Sequence, residues 1–190
     1  MTQEQYGYIG ELKTAFSILN SGAVGYGRCL ANIYLPLYDT TTEVDFLVVH
    51  TTGIYFIESK NYKGKVIGNS GKMWTHIHNN KTASFYSPVL QNQTHIKTLA
   101  YHTKLSKSLM FSYIVFDDDT VLQGVPSNNI TKAIKRSKLI ETFRKDAMTR
   151  KQVFTPQQVN YIISCLEPYT RVTEAVKQRH VANIKARHHK

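Results

Sequence analysis

Two runs of β-branched and aromatic residues, 44–50 and 54–57, flank Thr51-Thr52-Gly53, and this pattern predicts a hairpin of two buried strands. With Thr51 and Thr52 as the loop, His50 faces Gly53, and the register carried outward sets Asp45 opposite Glu58. Side chains alternate along a strand, so Asp45, Leu47, Val49, Ile54, Phe56, Glu58 and Lys60 share one face. A bulge at Gly53 is the alternative, and it slips the register by one.

The remaining pattern surrounds this hairpin with further elements. Tyr8, Leu12, Ala15, Phe16 and Leu19 recur at helical spacing and predict an amphipathic helix over residues 6–20, with Glu11 beside its apolar stripe. Residues 29–35 alternate as a strand that stops at Pro36, and a loop over 39–43 leads to the hairpin. After a turn at 61–64, strands over 65–68, 72–78 and 82–86 continue the sheet as a meander, with Trp74 packed in the core. Ser87-Pro88 opens a helix that runs to Leu105. Its buried side is Val89 or Leu90 with Gln93, Ile96, Leu99 and Ala100, while Gln91 and His95 lie one turn apart on a neighbouring line.

Residues 111–116 form a nearly continuous apolar run, suited to a strand covered on both faces. An edge strand over 129–134 and a helix capped by Ser137 follow. Thr155-Pro156-Gln157-Gln158 has the form of a capping box opening a helix through Leu166. A last helix from about Val172 carries Arg171, Lys177, Arg179, Lys185, Arg187 and Lys190 around more than one face, which fits docking on phosphate or a solvated tail.

A length of 190 residues with 42% hydrophobic content suits one compact domain and excludes general disorder. The division drawn from the pattern is a core over 1–125 and a mainly helical basic extension over 126–190 packed on it. A net charge of +11 suggests a polyanionic partner, nucleic acid first and an anionic membrane surface second. Cys29 and Cys165 lack disulfide-framework and zinc spacing, which fits a reducing cytoplasm. The N-terminus has no signal-peptide plan and no apolar run reaches membrane-span length, so the expectation is a soluble cytoplasmic protein.

Like charges directly opposite in a buried sheet repel, so Asp45 facing Glu58 calls for a cation between them. A hard divalent metal with oxygen ligands suits that role, and Lys60 adds a further positive charge. His76 and His78 share a strand face but have no carboxylate or thiol partner nearby in sequence, and Asp117-Asp118-Asp119 reads as a solvated turn.

Asp45 followed by Glu58-Ser59-Lys60 on the next strand resembles the PD-(D/E)xK nuclease signature. With Gly10-Glu11, Asn61-Tyr62-Lys63-Gly64, Trp74 and the segment Ser87-Pro88-Val89-Leu90-Gln91-Asn92-Gln93-Thr94-His95, the chain resembles the NERD, or nuclease-related, domain over roughly residues 7–105. The resemblance implies an α/β fold bordering on α+β, with a restriction-endonuclease-like core, a mixed central sheet flanked by helices and a helical C-terminal extension. It implies hydrolysis of phosphodiester bonds in nucleic acid, DNA favoured. Asp45, Glu58 and the Ser59 carbonyl would hold Mg²⁺, for which Mn²⁺ can substitute. Lys60 would orient or deprotonate water, or stabilise the transition state. Glu11 would complete the shell or hold a second ion, and Gln91 would position the scissile phosphate. Lys63, His95, Arg171, Lys177, Arg179, Lys185 and Arg187 are the candidate nucleic-acid contacts.

The contrasting reading is a basic nucleic-acid-binding module that keeps the fold without cleavage and needs no Mg²⁺. Docking on a membrane is disfavoured, because Val172, Val176 and Ile184 give only a thin apolar stripe.

Overall fold

The computed structural model describes residues 24–188, and side chains as far as residue 183. The helix expected over 6–20, with Glu11, lies outside the described residues. In chain order the strands are β1 (Gly27–Leu37), β2 (Thr40–His50), β3 (Gly53–Lys60), β4 (Gly64–Ile67), β5 (Met73–His78) and β6 (Lys81–Tyr86). Helix α1 (Pro88–Thr103) precedes β7 (Met110–Phe116), β8 (Thr120–Gln123) and β9 (Thr131–Lys135). Helices α2 (Leu139–Thr149), α3 (Pro156–Leu166) and α4 (Glu174–His188) complete the described residues.

The β2–β3 hairpin has the predicted register, from His50↔Gly53 out to Phe46↔Ile57, without a bulge. Gly53 is required at its turn: φ is +144°, and an added Cβ would stand 2.6 Å from the Phe111 ring and 2.8 Å from the Leu109 carbonyl oxygen. Residues Thr51 and Thr52 are themselves buried, because the Thr51 carbonyl accepts from the N–H groups of Val153 and Phe154 and its own N–H donates to Tyr26 O.

The large sheet has the order β1-β2-β3-β7-β9, antiparallel across β1-β2-β3 and parallel across β3-β7-β9. Strand β1 runs through Pro36 to Leu37 instead of stopping, since an edge strand tolerates a residue with no N–H to donate. The expected loop over 39–43 is mostly strand. Its turn is only Tyr38 and Asp39, with Tyr38 at φ 50°.

One face of this sheet is buried under α1 and α3, through Leu47, Val49, Ile54 and Phe56 against Ile96, Leu99, Val159 and Ile163. The other face packs Phe46, Tyr55, Tyr113 and Val115 against Leu139, Phe143 and Ala147 of α2. Every residue of β7 is buried, as expected for a strand covered on both sides. Beyond residue 126, strand β9 joins the large sheet and helices α2 and α3 join the layers packed on its two faces.

The expected continuous meander is instead a separate sheet, in the order β6-β5-β4-β8. Strands β3 and β7 are parallel neighbours, and beyond Lys60 and Phe116 the chain turns and pairs again in parallel as β4 and β8. Gly64, at φ +88°, makes the change of direction where a Cβ would collide with Ile77 O. The wedge between the sheets is filled by Val66, Trp74, Ile114 and Phe116, and the fully buried Trp74 donates its indole N–H to Asn69 O at 3.0 Å.

Helix α1 begins as expected, with the Ser87 side chain accepting from Leu90 N–H, but it ends at Thr103 where Lys104 turns left-handed. Its buried line also departs from the apolar pattern. Asn92 and His95 are buried and Gln93 is exposed, because Asn92 donates to Phe56 O and Ser112 Oγ beneath the helix. Among the described residues, no helix is long and apolar enough to cross a membrane.

Candidate active site

The open end of the β2–β3 hairpin carries three charged side chains on the face that its register dictates. Strand pairing ends at Phe46↔Ile57, and just beyond it the Ser59 N–H donates to Asp45 Oδ2 at 3.1 Å. Glu58 is only 2% exposed. Lys60 Nζ lies 2.7 Å from Glu58 Oε1 and donates to Gln91 Oε1 at 3.2 Å.

Helix α1 supplies the opposite wall. Gln91 and His95, one turn apart, both face this end of the hairpin. His95 Nε2 lies 3.6 Å from Glu58 Oε2, and His95 Nδ1 hydrogen-bonds Thr42 Oγ1 at 2.8 Å. Glu58 Oε2 and His95 Nε2 have no hydrogen-bond partner although both are buried. A cleft of about 510 Å³ reaches Asp45, Gln91 and His95 from the surface.

Burial, and then the charge of Glu58, push the Asp45 carboxyl up to about 8, against the pull of Lys60 and the Ser59 N–H. Burial works the same way on Glu58, but Lys60 and His95 outweigh it and hold that carboxyl below its usual range. Burial opposes the Lys60 ammonium, yet Glu58 and Asp45 together keep its pKa above the ordinary lysine value. One full cation therefore faces two carboxylates. The site is short of positive charge by one, and Asp45 makes up the deficit by holding a proton.

The sequence model described as Nuclease-related domain (NERD) matches residues 6–117, a span that contains Asp45, Glu58, Lys60, Gln91 and His95. The chain belongs to the nuclease-related domain family. An uncharacterized protein of Bacillus anthracis is 37% identical over 65 residues, a match that covers 34% of this chain and 31% of that protein. This chain thus spans about a third of that relative's length. No solved structure matches the chain. Membership and architecture agree: the mixed sheet between helical layers is an α/β nuclease-like fold.

The other predicted residues are scattered, and those from Arg171 onward lie beyond the span matched to the nuclease-related domain. Lys63 is exposed on the connection between the two sheets, where its carbonyl accepts from the His76 ring. His95, expected to face nucleic acid, is instead 2% exposed and turned onto Glu58. Arg171 pairs with Glu167 at 2.6 Å and Lys177 with Glu174 at 2.5 Å, so local acids offset part of the basic C-terminal charge. Arg179 is exposed on α4; Lys185 and Arg187 fall on its last turns, with side chains outside the described residues.

Among the described residues, no group of three His, Cys, Asp or Glu is poised to hold a metal, at His76-His78 or elsewhere. Asp117-Asp118-Asp119 is a turn, with Asp118 accepting from Ser137 and Asp117 paired with Arg136. Sequence reasoning missed Thr42, which orients His95, and His180 with Asn183, which bring α4 to the mouth of the cleft. Thr42 fell in an expected loop, and only tertiary packing sets α4 beside β2.

Proposed function

We propose that the protein is a divalent-metal-dependent nuclease that hydrolyses phosphodiester bonds of nucleic acid, with DNA the favoured substrate. The observation that carries this reading is the buried Glu58, with one oxygen on Lys60 and the other 3.6 Å from His95 Nε2 and without a hydrogen bond, beside an Asp45 that burial and Glu58 have driven to about 8. A purely structural carboxylate pair would have both charges matched. This one has spare oxygen donors and lacks a positive charge, and it opens on a cleft in a chain of net charge +11.

These donors fit Mg²⁺, a hard ion commonly bound by one or two carboxylates, with waters and substrate phosphate filling its other positions. Asp45, Glu58 and the Ser59 carbonyl would hold it, with Mn²⁺ as a substitute and Glu11 as a further carboxylate. When bound, the ion neutralises charge on the phosphate and lowers the pKa of bound water.

The protein's own groups have separate tasks. Lys60 is kept charged chiefly by its 2.7 Å pair with Glu58, so it serves as a donor and electrostatic stabiliser of the phosphorane-like transition state and not as the proton acceptor. Gln91 uses its carbonyl on Lys60, which leaves its amide N–H₂ to donate to a phosphate oxygen. His95, fixed by Thr42, holds Glu58 from behind. Supercoiled plasmid, linear duplex and single strands, each with Mg²⁺, Mn²⁺ or chelator, test the proposal. Cleavage that needs the ion and disappears in Asp45→Asn supports it. Binding without cleavage under every ion would establish the non-catalytic binding module instead.

A further inference from the structure

We infer that the cleft beside the carboxylates seats an unpaired nucleotide stacked on Tyr86 and Met73, so that the strand cut is single-stranded at the point of cleavage. This rests on the nuclease reading above and adds the substrate class to it.

Strands β5 and β6 pair with Met73 directly opposite Tyr86, so these two side chains stand side by side on one face. The next pair, Trp74 and Phe85, turns the other way and packs in or against the core. Met73 and Tyr86 are 47% and 39% exposed, an apolar and aromatic surface that contributes little to burial and lines the same cleft as Asp45 and Gln91. An aromatic ring beside a phosphate-handling site offers what successive bases of a single strand use, a π face for stacking.

The platform is held rigidly against the chemistry. Tyr86 immediately precedes Ser87, the N-cap of α1, whose N–H donates to Lys72 O at 2.8 Å and whose carbonyl accepts from Gln91 N–H at 3.0 Å. Ser87 and Gln91 are therefore one helical turn apart, with Tyr86 immediately before that turn. Tyr86 and Gln91 line the same cleft, so a nucleotide stacked on Tyr86 occupies the space that Gln91 borders.

Helix α4 adds polar groups at the same cleft. His180 Nδ1 hydrogen-bonds Thr41 O at 3.0 Å, and Asn183 donates to Thr40 Oγ1 at 2.8 Å, which brings an imidazole and an amide to the mouth. His180 is buried, with Nδ1 on Thr41 and Nε2 3.7 Å from Glu43, so the Asn183 amide is the group of the two that is left to meet an exposed base edge. The volume of about 510 Å³ lies in the range of enclosed small-ligand sites and suits a nucleotide or two, not a helix of paired strands. A paired base has both faces covered by its neighbours, and extruding it costs free energy that a single strand does not spend.

The test uses the full chain in metal-free buffer, titrated against a single-stranded oligonucleotide containing 2-aminopurine and against its blunt duplex, with parallel cleavage assays in Mg²⁺. The parent should quench 2-aminopurine in the single strand and bind it more tightly than the duplex. Tyr86→Ala should weaken single-strand binding about 5- to 150-fold and remove the quenching, whereas Tyr86→Phe keeps both. Tyr86 is exposed, so these variants should retain the parent's circular dichroism. Unchanged single-strand affinity in Tyr86→Ala, or duplex bound and cut as well as single strand, overturns the subsite and leaves the nuclease reading intact. Tyr86-dependent quenching without cleavage of any substrate supports the subsite and overturns the nuclease reading.

Discussion

The two ends of the β2–β3 hairpin bury polar groups in opposite ways. At the turn, His50 Nδ1 accepts from Thr52 N–H and hydrogen-bonds Thr52 Oγ1, which in turn meets the Tyr55 hydroxyl. The ring also packs edge-on against Phe143, with centroids 5.4 Å apart. Burial holds this histidine neutral, its pKa lowered to about 4. At the open end, Glu58 and Lys60 are charged, Asp45 beside them has its pKa raised to about 8, and Glu58 Oε2 is buried without a hydrogen bond. The turn-end network is neutral, although Thr51 Oγ1 is buried there without a hydrogen-bond partner; the open end retains charge and a free carboxylate lone pair, at some cost in stability.

Substitutions at the two ends should therefore act on different observables. The largest effect is expected at the open end: Lys60→Ala should lower cleavage by about 10²–10⁴-fold while divalent-ion binding survives, because an ammonium is not a metal ligand. Plasmid cleavage and calorimetric ion titration on the same variant read the two quantities. At the turn end, Gly53→Ala should destabilise by about 2–5 kcal/mol, combining left-handed strain with the collision against Phe111. Urea unfolding measures it.

The turn end should also carry a pH dependence. His50 has a folded pKa depressed below its unfolded value of 6.5, so below that value the unfolded chain binds the proton more readily. Its contribution is intact near neutrality and is lost as pH falls from about 6.5 towards 4, amounting to about 3 kcal/mol. The loss of unfolding free energy between pH 7 and pH 4 should be larger in the parent than in His50→Gln by about that amount. The smallest effect is predicted for Asp45→Asn, which removes a carboxyl that both burial and Glu58 disfavour while keeping an acceptor for the Ser59 N–H. Its stability at pH 7 should rise by about 1 kcal/mol.

The hairpin register and its charged face were legible because two apolar runs around a two-residue loop leave one pairing that buries both. The split into two sheets was not, since the alternation in β4, β5 and β6 is the same whichever sheet they join, and the decision lies in a pairing with the distant β8. Tyr38 made its turn without the glycine or asparagine that announces one. His95 and Asn92 were misread because buried polar residues are invisible to an apolar periodicity; their partners, Thr42, Glu58 and Ser112, come from other elements.

The central claim is that Asp45 and Glu58 form a cation site, and ion titration tests it without relying on turnover. Isothermal calorimetry of the full chain with Mg²⁺ and Mn²⁺ should show binding in the parent that is lost in the Asp45→Asn, Glu58→Gln double variant, while circular dichroism shows the fold retained. Binding of equal strength in the double variant would place the ion elsewhere and contradict the account.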